Sequence, residues 1–162
     1  MEHLAIMKKS WGLTEKILTG EKTVESRWYT SKRTPWGRIE AGDTVYFKNS
    51  GEPVKIAADV EKVIQMDGLD EGKVREILEE YGERDGIEKS HRRFYFDAFR
   101  DKAYCMLIFL KNPREVEPFD IDKTGFGAMS AWITVDRISR IRKKESARTR
   151  HVGTGQSPNR AG

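Results

Sequence analysis

Cysteine is nearly absent from this chain. Of 162 residues only Cys105 carries a thiol, which excludes an internal disulfide and a multi-cysteine zinc site. Cys105 lies within the apolar run 103–110, where a buried, inert thiol is expected rather than a nucleophile. Histidine is scarce too: there are three, and His3 and His151 stand far apart with no metal-ligand spacing around either. Neither a metal nor a cofactor is expected. No apolar run approaches the ~18–20 residues of a membrane-spanning helix, and residues 1–10 hold no signal-peptide core. A soluble, cytoplasmic protein with no membrane partner is the expectation. A glycine-rich phosphate loop, a carboxylate metal cluster, a Ser-His-Asp signature and internal repeats are also missing, which removes support from several catalytic classes.

A charge of one sign is lacking over most of the chain. The formal net charge is +4, yet six Lys/Arg and one acid fall from Arg142 onward, leaving 24 basic against 25 acidic residues before it. Any anion-binding surface on the body must therefore be local. Residues 143–162 have almost nothing to bury and are expected to form a basic, disordered tail behind one domain spanning 1–142. Such a tail attracts polyanions through counterion release, or simply solubilises the protein.

What is present is a set of short periodic segments. Leu4 and Ile6 face one way on a first strand over 2–8. Ser10 is placed to cap a helix over 11–19, whose stripe is Leu13, Ile17 and Leu18, with Gly20 as its C-cap. Strands are expected over 22–29, at the end of 39–48, and over 54–64, where Val54, Ile56, Ala58 and Val60 alternate. Helical spacing marks 70–81 and 88–100. The stretch 104–110 is apolar on both faces and should be a central strand. Pro113, Pro118 and Gly125-Phe126-Gly127 punctuate a loop before strands at 129–135 and 138–141. Strands at both ends with a two-helix insertion describe an α+β fold, a small mixed barrel whose first and last strands meet.

One segment carries chemistry. Residues 20–27 read G-x-K-x-x-E-x-R. Alternation puts Glu25 and Arg27 on one strand face and Lys22 on the other, although a turn after Gly20 can redirect the lysine. Three charges of both signs then meet at one strand end, as a solvated ion-pair face or as an anion site. The following residues, 27–38, interleave Lys32, Arg33 and Arg38 with Trp28, Tyr29 and Trp36, a composition suited to stacking on unpaired bases. Trp28 is expected in the core, and Trp36 either anchors its loop or stacks on a ligand. Trp132 either plugs the barrel or forms a cleft wall.

This motif after a short helix, followed by Gly42-Asp43-x-Val45-x-Phe47, resembles the ASCH family of the PUA-like superfamily across roughly residues 3–142. Residues 125–132 resemble the late strand of archaeal PUA-like proteins of unassigned function. The resemblance implies a small β-barrel with a cleft beside the first helix, lined by Lys22, Glu25 and Arg27, that binds RNA or a nucleotide-like ligand. Lys32, Arg33, Trp36 and Trp132 complete the candidate ligand-binding set. One branch of the family resembles acetylcytidine amidohydrolases, which use a lysine with a threonine three residues later. Here Glu25 stands at that position, so the branch's chemistry does not transfer directly. Two other classes remain open. In a small hydrolase acting on RNA or a modified nucleoside, Lys22 or Glu25 serves as general base. In a protein-interaction module, the motif is structural only.

Overall fold

A computed structural model describes residues 1–144, and the remainder of the expected tail lies outside the described residues. Strands β1 (Glu2–Met7), β2 (Val24–Tyr29), β3 (Thr44–Asn49), β4 (Val54–Met66), β5 (Tyr104–Phe119) and β6 (Trp132–Val135) alternate with α1 (Leu13–Thr19), α2 (Glu71–Tyr81) and α3 (Arg92–Phe99). The strands form one mixed sheet in the order β2-β5-β4-β3-β1-β6, curled into a half-barrel with the two-helix insertion between β4 and β5. First and last strands do pair, antiparallel, with His3 opposite Thr134, while β1 runs parallel to β3. Among the described residues no helix is long and apolar enough to cross a membrane.

The period-2 pattern of β5 explains how one strand serves two cores. Met106, Ile108 and Leu110 face the half-barrel interior with Ala5, Val45, Phe47 and Ile17. Cys105, Leu107 and Phe109 face the insertion, where they meet Val74, Ile77, Leu78 and Tyr95. Trp28 belongs to this second core, stacked on Phe99 with ring centroids 4.6 Å apart. Burial pushes the Cys105 thiol far above its usual range, as expected of an inert cysteine.

Several expected boundaries are corrected. Ser10 caps nothing: residues Lys9–Trp11 form a 3-10 turn, and α1 starts after Gly12, which has φ +63° and makes no side-chain cap. The expected helix over 88–100 is likewise a 3-10 turn, Lys89–His91, followed by the shorter α3. Residues 138–141 hold a 3-10 turn, not a strand. The largest difference is β5, which runs through Pro113 and Pro118 to Phe119. Beyond Phe109 its only strand partner among the described residues is β4, since β2 pairs only with 104–109, so a proline's missing N–H can fall on the unpaired side. Register shifts along β4 and β5 and the positive φ of Asn112 absorb the irregularity.

Candidate nucleic-acid interface

The G-x-K-x-x-E-x-R segment divides into two environments. Lys22 lies before β2, fully buried, and its Nζ donates to the carbonyls of Val24 and Asp85, each at 2.7 Å, and to the Asp85 carboxylate Oδ1. Asp85 Oδ2 accepts from Ser26 Oγ, which in turn accepts from Trp28 Nε1 at 3.0 Å. The loop supplying Asp85 is held by backbone as well: Thr23 and Val24 amides both donate to the Arg84 carbonyl, at 2.8 and 3.0 Å. Gly86 closes it at φ +77°, where an added Cβ would sit 3.3 Å from Lys22 Cβ and Lys16 Cδ. Every donor of the ammonium is matched, so this end of the motif fastens the insertion to the sheet.

Glu25 and Arg27 alternate to the opposite face of β2 and point into the half-barrel. Glu25 Oε1 is 4.0 Å from Lys22 Nζ and 3.8 Å from Arg27 Nε, both beyond hydrogen-bond length, and its Oε2 has no partner among the described residues. Burial drives the Glu25 carboxyl above its usual range, and the Asp85 charge adds to this, while Lys22 and Arg27 pull the other way. Arg27 is held loosely. Its Nε is buried without a partner among the same residues, and its Nη groups reach the carbonyls of Ala131 and Ile6 only at 3.5 Å, with Met7 Sδ at 3.2 Å. The guanidinium thereby bridges β2 to the β1–β6 side of the curled sheet and lies 5.1 Å from the centre of the Trp132 ring.

Trp132 and Ala131 also line a groove of about 630 Å³ between residues 29–38 and 125–134. Lys32, Arg33 and Arg38 border it, and among the described residues no carboxylate does. One wall is the 122–131 loop, tied down by Lys123 Nζ donating to the Ala128 and Ser130 carbonyls at 2.8 and 3.0 Å. That loop presents Phe126 and Met129, the latter 95% exposed, to the groove. Of the residues singled out in the sequence, Lys32, Arg33 and Trp132 thus line the groove; Arg27 is outside its lining and meets it only through Ala131 and Trp132. Lys22 and Glu25 are buried away from it. Trp36 is outside its lining, packed edge-on to Tyr104 at 5.3 Å with Lys32 Nζ 5.6 Å above its ring.

Sequence reasoning missed Asp85, which sits in the charged run Glu83-Arg84-Asp85 where nothing distinguishes one acid from its neighbours; only the Asp-Gly turn after α2 hinted at a fixed position. It also missed Thr134 and His3, whose pairing depends on β1 meeting β6. Among the described residues no group of three His, Cys, Asp or Glu side chains could hold a metal ion.

This architecture is the fold of a solved ASCH protein. The chain is similar to the ASCH protein of Zymomonas mobilis, with a TM-score of 0.61 and 16% identity over 88% of this chain and 96% of that one. Two single-residue variants of that protein give the same TM-score, at 17% and 18% identity, over 86% of this chain and 93% and 91% of theirs. No family model matches the sequence, and no curated protein does. At this identity the likeness establishes the fold.

Proposed function

We propose that this protein binds single-stranded RNA or a nucleotide-like ligand in the groove between residues 29–38 and 125–134. The observation that carries this reading is the groove's charge: three cations, Lys32, Arg33 and Arg38, and no acid among the described residues, on a body whose charges otherwise balance. Cations suit phosphates, and the exposed Phe126 ring suits the face of an unpaired base, at about 1–3 kcal/mol per stacked base, with Met129 adding exposed apolar surface. Arg27 adds a planar donor fork whose own hydrogen bonds are long or missing, so an acceptor on the ligand replaces weak contacts rather than strong ones. Lys22 acts indirectly, by holding the strand that carries Arg27.

The test is a titration with a short single-stranded RNA, the matching duplex and a nucleoside monophosphate, each at two salt concentrations. A Lys32→Ser/Arg33→Ser double variant should bind the single strand more weakly and with a shallower salt dependence. Affinity unchanged in that variant would contradict the groove as the site.

A second reading, hydrolysis of RNA or of a modified nucleoside, draws support from Glu25 alone. Its buried carboxyl has a free oxygen and a raised pKa, properties of a general acid. On this reading Glu25→Gln removes turnover while binding persists; turnover at the wild-type rate in that variant would dismiss it.

A further inference from the structure

Behind the groove wall lies a buried hydrogen-bonded chain that the motif does not include. Trp132 Nε1 is 3.1 Å from His3 Nδ1, and His3 Nε2 is 2.8 Å from Asp43 Oδ2. An indole N–H can only donate, so Nδ1 must be the bare nitrogen and the ring proton must reside on Nε2, donated to Asp43. Asp43 is itself fixed, its Oδ2 accepting from the Glu40 amide at 3.1 Å and its Oδ1 from the Met1 amine at 3.1 Å. His3 is completely buried on β1, Asp43 precedes β3, and Trp132 opens β6, so the chain crosses three adjacent strands.

We infer that His3, backed by Asp43, is the positioning residue of the groove: it fixes the plane of the buried Trp132 indole, and through it the Arg27 guanidinium, at the groove wall. This rests on the groove reading above for its functional meaning, though not for its geometry. The indole has one polar atom, and His3 is its acceptor. Its ring receives the Arg27 guanidinium, an attraction that needs the face of the ring, so a rotated indole loses it. Thr134 extends the argument. Its Oγ1 is 2.9 Å from the same Nδ1, which has a single lone pair, and Thr134 also lines the groove. With Nδ1 bare, the hydroxyl donates to the same lone pair as the indole, so this one nitrogen ties both groove-lining side chains.

The device depends on a neutral imidazole. A proton on Nδ1 would be donated to Thr134 Oγ1 and would leave the indole N–H facing a donor, without its acceptor. Burial lowers the His3 pKa, opposed by the bond to and charge of Asp43 and assisted by the Met1 amine and Arg38; Thr134 and Trp132 are the other groups that face the ring. The held form therefore prevails at neutral pH and is lost on acidification.

The test uses full-length protein and the Trp132 indole N–H resonance, assigned by its absence in Trp132→Phe. In wild type this proton should be protected from solvent exchange; in His3→Leu it should exchange at least about tenfold faster. His3→Asn, whose amide oxygen can still accept from the indole, should restore most of the protection and remains informative if the leucine variant fails to fold. For binding, His3→Leu should weaken a single-stranded RNA about tenfold in the wild-type background and have little effect in Trp132→Phe. Equal indole exchange in wild type and both His3 variants, or an equal loss of affinity in both backgrounds, would overturn the positioning role. Absence of RNA and nucleotide binding in wild type with the exchange pattern intact would instead refute the groove reading and leave the His3–Trp132 contact standing.

Discussion

The two ends of the charged motif behave oppositely, although they lie five residues apart. At Lys22 three N–H donors meet three oxygens, the side chain is sealed from solvent, and the partner carboxylate is bound by a second donor. At Arg27 one buried donor has no partner among the described residues, others reach carbonyls only at 3.5 Å, and the guanidinium rests on an aromatic ring beside an open groove. A satisfied buried ion pair specifies structure. An unsatisfied cation beside a groove has hydrogen-bonding capacity left for a ligand. The same spacing of charges thus yields a fastening at one end and, on the proposed reading, a binding element at the other, and the difference is set by what the rest of the chain brings to each.

The comparison is broken most severely at the fastening. Lys22→Met leaves Asp85 buried without its cation and should cost about 3–5 kcal/mol of unfolding free energy in urea. The paired change Lys22→Met/Asp85→Leu should recover a good part of that loss, because removing both charges also removes the desolvation cost. At the other end, Arg27→Ala should weaken RNA binding about tenfold while costing no more than about 1 kcal/mol of stability. Arg27→Lys should not restore binding, since an ammonium lacks the planar fork and its stacking on Trp132. Smaller again is the effect of single charges at the rim. Replacing Lys32, Arg33 or Arg38 by serine, one at a time, should each lower the slope of log affinity against log salt by about one.

The mildest test lies between the two ends. Glu25 in the folded protein holds its proton above the usual carboxylate range. As pH rises past the ordinary value of 4.5, the unfolded chain ionises first, so stability should fall until the folded carboxyl has also ionised. Glu25→Gln should lack this decline, as measured by unfolding across that window. His3 has the opposite sense: its folded pKa is lowered, the unfolded chain takes up the proton first, and stability should fall as pH drops below 6.5.

Much of the fold was legible because it rests on periodicity. The doubly apolar 104–110 stretch is a central strand facing two cores, and the first and last strands pair as their positions suggested. Prolines misled where a strand lost its neighbour on one side, a condition set by the length of β2 rather than by β5 itself. At the candidate site, Arg27, Lys32, Arg33 and Trp132 were visible as residue types; the structure places the last three along one groove and Arg27 behind it, over the Trp132 ring. Asp85, Thr134 and His3 were not singled out, because each acquires its role from a partner far along the chain: Lys22 for Asp85, Trp132 for His3. Local spacing registers charges on one strand. It does not register which of them will be matched from 63 residues away.

The most direct measurement of the central claim is a pair of curves on Arg27→Ala and wild type: urea unfolding, and titration with a short single-stranded RNA at fixed salt. Unfolding free energies within about 1 kcal/mol of each other, with RNA affinity reduced about tenfold, are the predicted result. Equal affinity, or a collapse of stability like that expected at Lys22, would mean that Arg27 is one more fastening and that the groove is not where this protein meets its ligand.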